Sequence, residues 1–241
     1  MTQFTRKTFT LLMLGVALLF PGLDAKADGL KDFRFDVAQF TTLNIQNNVN
    51  VVYHHTDDAQ AYASYNGTDD FDDAFIFTSS GNTLRVQVNT EDVGKPGLPT
   101  LHVYSNALYK VENGSDFNTR IEDPTPGHDF TAVVIGNGAL EVNRLDAAKL
   151  SARVTAGNGV ITLRGKCVKA SYRMTGAGNI NGTSLKSESI DCRVFGGGAI
   201  ECGPTQRIKL MGLGSTKVYY TGNPVLKHTG GGRFIPADSM Q

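Results

Sequence analysis

An all-β fold whose second half is a right-handed parallel β-helix is predicted from three features of the sequence. A Gly-x-Gly punctuation recurs at positions 136, 157, 176, 196, 212 and 230. Between these corners the residues alternate apolar and polar, the period-2 pattern of strands buried on one side. The repeat is close to 20 residues and holds its register in Arg153-Val154-Thr155-Ala156, Arg173-Met174-Thr175-Gly176 and Arg193-Val194-Phe195-Gly196. That length is too short for a strand-helix-strand unit, which takes about 30 residues. It is also half of the roughly 40 that a propeller blade needs. A chain coiling once per repeat around an apolar interior, with glycine at corners that require positive φ, satisfies all three features.

The segments follow in order. Residues 1–27 combine Arg6 and Lys7, the apolar stretch from Phe9 to Phe20, Pro21-Gly22 and a final Ala25-Lys26-Ala27. This pattern is that of a secretory signal peptide cut before Asp28, and the apolar run is too short to anchor the chain in a bilayer. Residues 28–130 form an irregular strand-rich half. Its strands are expected at Leu43–Ile45, Val49–Tyr53, Ala74–Phe77, Leu84–Val88 and Leu101–Tyr104, with 54–73 and 89–100 as loops. Residues 131–236 carry the β-helix repeats, with looser copies at Lys209-Leu210-Met211-Gly212 and Lys227-His228-Thr229-Gly230. Ala152/Val154, Tyr172/Met174, Cys192/Val194 and Ile208/Leu210 take the inner face. Residues 237–241 are a flexible tail.

The 241 residues balance at a net charge of zero, but residues 28–145 hold 17 acidic and 7 basic side chains and residues 146–241 hold 5 and 13. The split, −10 against +8, makes the chain a large dipole able to orient contacts with a partner or a second copy. Parity places Arg153, Arg173, Arg193, Lys209 and Lys227 in one basic column on the outer face, the candidate binding residues. Cys167, Cys192 and Cys202 lack Cys-x-x-Cys spacing. In an oxidising compartment Cys192 and Cys202, which flank one glycine turn and share inward parity, are the candidate disulfide.

No catalytic constellation emerges. Asp191 and Glu201 both carry outward parity and belong to no cluster, so they read as solvated carboxylates rather than a glycosidase pair. His54-His55 with Asp57-Asp58, and the run Asp69 to Asp73, fit no calcium loop, and neighbouring residues on a strand point to opposite faces. The Gly-rich turns lack the Lys-Ser/Thr of a phosphate loop, and no Gly-x-Ser-x-Gly elbow occurs. Neither metal nor cofactor is expected.

The ordering of several segments resembles the bacterial family of auto-transporter adhesins with a head GIN domain. The likeness covers roughly residues 35–236 and rests on Phe40-Thr41-Thr42-Leu43-Asn44-Ile45, Asn48 to Tyr53, Thr83 to Val88, Leu101 to Tyr104, Leu108 to Gly114 and Gly212 to Pro224. The resemblance implies an exported β-helical protein and brings no catalytic or ligand residues. Gly178-Asn179-Ile180-Asn181 and Gly198-Ala199-Ile200 only approximate the Gly-Ile-Asn element of the family name. The expectation is a noncatalytic protein of the periplasm, cell surface or extracellular space. It would bind an anionic glycan or another envelope component, with self-association as a further contact and no nucleic-acid partner. A carbohydrate-active β-helix enzyme and a structural envelope module are the competing classes.

Overall fold

The structure, a computed structural model, describes residues 30–237. The expected signal segment, its cut at Ala27–Asp28 and the tail beyond Ala237 lie outside the described residues.

The chain forms eighteen strands and one short 3-10 turn, with no α-helix among the described residues. In chain order they are β1 (Lys31–Val37), β2 (Thr42–Ile45), β3 (Val51–His55), β4 (Ala61–Gly67), β5 (Phe75–Ser80) and β6 (Thr83–Val88). Next come β7 (Leu101–Ser105), β8 (Lys110–Asn113), β9 (Asn118–Ile121), β10 (Phe130–Ile135), β11 (Ala139–Thr155) and β12 (Val160–Gly176). The last six are β13 (Asn179–Gly196), β14 (Ala199–Cys202), β15 (Arg207–Gly214), β16 (Lys217–Tyr220), β17 (Val225–Gly230) and β18 (Arg233–Pro236).

From Lys110 onward the strands stack in parallel as a β-solenoid of about six turns. The long strands bend around the coil, so each contributes to more than one face. Leu150 pairs with Ala170 and Ala170 with Ile190, a 20-residue step, whereas Ile190 to Ile208 and Ile208 to Leu226 are steps of 18. The interior is a continuous ladder of Ala152, Tyr172, Cys192 and Leu210 beside Val154, Met174 and Val194, all buried as parity predicts. Removing these side chains from water is the main stabilisation of a fold whose turns touch only their neighbours.

Parallel stacking also reaches further toward the N-terminus than residue 131. One stack places β6, β2, β8 and β10 side by side, and another places β7, β3, β9 and β11 side by side. The rung built from residues 42–55 thus sits between the rung of 83–105 and that of 110–121, out of chain order. The segment expected as a loop at 54–73 instead contains β4, which alternates buried and half-buried residues and pairs antiparallel with β1 and β7. β5 pairs antiparallel with β6. These antiparallel strands cover the first rung and close its edges, a recognised way of protecting a sheet.

Candidate functional site

The outer face of the stack β10–β11–β12–β13–β15–β17 is built by parity. Every inward apolar residue forces its neighbour into solvent, and parallel register repeats that choice at about 4.8 Å per strand. Arg153 pairs with Arg173 and Arg173 with Arg193, so the three form a true column, and all are exposed. The column does not continue through the two lysines. Arg193 faces Met211, which faces Thr229. Lys209 and Lys227 lie in the adjacent column, headed by Ser151, Ser171 and Asp191. The cause is the shortened step. Ala199 follows Asn179 at 20 residues but Ile208 follows Ile190 at 18, so two residues are lost in the Gly203–Gln206 connection. A shift of two preserves parity, leaving Leu210 inside while moving Lys209 sideways.

A third column, Lys149, Lys169, Ser189 and Arg207, borders the second and escaped the sequence reading. The 20-residue register that links Arg153 to Arg173 also links Lys149 to Lys169. The face is therefore a basic net rather than a single line, with Asp191 its one acidic member in the three columns. Among the described residues, no carboxylate lies within ion-pair distance of Arg153, Arg173, Arg193, Lys169, Arg207, Lys209 or Lys227; Lys149 does meet Asp129, at 3.6 Å. Arg153 Nε donates to Ser151 Oγ at 3.1 Å. An exposed apolar strip flanks the net where Phe195 (51% exposed) pairs with Leu213 (67%) beside Met211 (41%).

The corners have a defined chemistry as well. Gly176, Gly196 and Gly214 stack with φ of +119°, +143° and +114°. Gly212, expected as a corner, instead faces inward beneath Val194, whose Cγ2 would lie 2.2 Å from a Cβ placed there.

The other candidates are dispersed. Asp191 projects from the basic face, whereas Glu201 lies between Asn181 and Tyr219 in another strand stack. His54 Nε2 is 3.0 Å from His102 Nδ1 and stacks on Tyr104, which stacks on Tyr62 under Arg34. Burial, then the neighbouring His102, hold His54 below its ordinary pKa. Its sequence neighbour His55 points elsewhere and approaches Asp57 at 3.5 Å. Among the described residues no group of three or more His, Cys, Asp or Glu side chains could hold a metal ion. Cys167, Cys192 and Cys202 are buried free thiols. The neighbouring Cys202 thiol, then burial, raises the Cys192 thiol pKa, which keeps it protonated and unreactive. Tyr172 crosses the same interior, its hydroxyl without a partner among the described residues.

Solved structures share this architecture. A putative adhesin from Bacteroides fragilis superposes with a TM-score of 0.75 at 20% identity, covering 87% of this chain and 98% of that one. A putative lipid binding protein from Parabacteroides distasonis gives 0.67 at 17% identity, covering 87% and 96%. A putative adhesin from the same species gives 0.69 at 16%, covering 87% and 97%. No curated protein matches the sequence. The family model described as putative auto-transporter adhesin, head GIN domain, matches residues 39–224, and the chain belongs to that family.

Proposed function

We propose that the protein is a noncatalytic, exported component of the cell envelope or cell surface that holds an acidic glycan on its basic net. The observation that carries this reading is the register-locked column Arg153, Arg173 and Arg193, exposed and without acidic partners among the described residues. Like charges held about 4.8 Å apart repel one another. A linear polyanion laid along the column relieves that repulsion, and planar guanidinium groups pair bidentately with carboxylate or sulfate. Membership of an adhesin family is consistent with retention rather than turnover.

The experiment is to change Arg153, Arg173 and Arg193 together to Gln and measure retention on an immobilised acidic polysaccharide. Exposed ion pairs contribute about 0.2–1 kcal/mol each, so the triple variant should bind roughly tenfold more weakly. Wild-type retention should also fall with added salt. Equal retention by both proteins, or hydrolysis of the polysaccharide, refutes the reading. Phe195, Met211 and Leu213 favour a second one, in which the same face meets anionic lipid headgroups, as the name of the lipid-binding neighbour suggests. Vesicles of anionic lipid, with the variant Phe195→Ser plus Leu213→Ser, distinguish the two.

A further inference from the structure

The two ends of the solenoid differ in kind. At one end, β4 and β5 cover the first rung, and the outermost strand on one side is β5, which pairs with β6 alone among the described residues. At the other end nothing among the described residues pairs with the outer edge of β17. All six residues of β17 are exposed, including Val225 and Leu226. Val225 N–H donates to the Gln206 carbonyl, which fixes the alternation and turns the N–H groups of Leu226 and His228 toward the open side. Such an edge is a template for a further strand.

Charge selects what can add to it. Residues 203–237, which build the open end, carry five basic side chains (Arg207, Lys209, Lys217, Lys227 and Arg233) and no acidic one. Residues 30–105, which build the covered end, carry ten acidic side chains and four basic. Three of those four basic groups are already committed: Lys31 to Asp69, Lys95 to Asp92 and Arg34 to Asp36. Asp70, Asp72, Asp73 and Glu91 have no ion-pair partner among the described residues, and none appears in a hydrogen bond through its carboxylate. Two open ends brought together would place +5 against +5, while an open end on a covered end places +5 against −6.

We propose that copies of this chain associate head to tail, the basic edge of β17 in one copy docking against the acidic β5 end of the next. β5 and β17 are both six residues long. Exposed Ile76 on β5 meets Val225 and Leu226 as the apolar part of the contact. This is a heterologous interface, so association is open-ended and lengthens with concentration instead of stopping at a dimer.

The test uses the full chain as recovered from expressing cells, with no polysaccharide present, followed by sedimentation over a range of concentrations. Wild type should form a concentration-dependent series at low salt, weakened about tenfold or more as the Debye length shrinks. One variant carries Lys217→Glu and Arg233→Glu, and a second carries Asp72→Lys and Asp73→Lys. Each alone should be largely monomeric, since its ends then meet as +1 against −6 or +5 against −2, and mixing the two should restore association as far as a heterodimer, because the intact covered end of the first meets the intact open end of the second. A third variant, His228→Pro, removes an outward N–H while sparing the bonds to β15, and should also be monomeric. The proposal is overturned by a wild type that stays monomeric at every concentration at low salt. It is likewise overturned by a mixture that fails to associate, or by His228→Pro associating like wild type. None of these changes touches Arg153, Arg173 or Arg193, so glycan retention reads out separately.

Discussion

Gly196 shows how tightly the corners are packed. Its φ of +143° is costly for any residue with a Cβ, and that Cβ would lie 2.2 Å from the Gly176 carbonyl oxygen of the turn beneath. The obstacle is backbone, held by the Gly197 N–H bond to the same oxygen at 3.0 Å, and so it cannot rotate away. Gly196→Val should therefore destabilise the protein by more than about 1 kcal/mol, since strained backbone alone costs about 1–3 kcal/mol. The measurement is a lowered midpoint in thermal or denaturant unfolding. Gly81, also at positive φ but with nothing within 4 Å, is the comparison: Gly81→Val should carry the conformational cost without the clash.

Among the strands, register decides which side chains act together. The column through Arg153, Arg173 and Arg193 depends on the 20-residue steps that β11, β12 and β13 keep from Leu145, Arg164 and Ser184 onward, after a register shift in each pairing. The Gly203–Gln206 connection shortens the next turn and brings Met211 opposite Arg193. Directly paired residues have Cα atoms within the range a disulfide can bridge, whereas a diagonal pair lies beyond about 7 Å. Arg193→Cys with Met211→Cys should cross-link under mild oxidation, and Arg193→Cys with Lys209→Cys should not. Loss of free thiol, counted against wild type with its three buried cysteines, checks this. The reverse outcome would place Lys209 in the arginine column.

For the whole molecule, the asymmetry of the ends sets where the fold opens. The central turns are covered on both sides, and the first rung is closed by antiparallel strands. Among the described residues the last turn is held on one side, with β17 exposed throughout and the interior closed over by Phe234, Tyr220 and His228. In a quasi-one-dimensional stack, opening proceeds from an uncovered end. Amide hydrogen exchange should be fastest in β17 and β18, intermediate in β15 and β16, and slowest in β11 to β13. Raising protein concentration at low salt should slow exchange in β17, since the head-to-tail contact covers it. Uniform protection across the solenoid would refute the first expectation.

The sequence by itself determined the inner and outer faces, the approximate turn length, the glycine corners at 157, 176 and 196, and the basic column of three arginines. All of these follow from local rules: parity repeats every two residues, and a 20-residue register keeps parity from turn to turn. Tertiary structure alone decided two matters. It placed the rung of residues 42–55 between those of 83–105 and 110–121, a non-local pairing that leaves no period in the sequence. It also moved Lys209 and Lys227 out of the arginine column. A two-residue shortening leaves the apolar alternation intact and is therefore silent to pattern, yet it displaces every outward side chain by one column.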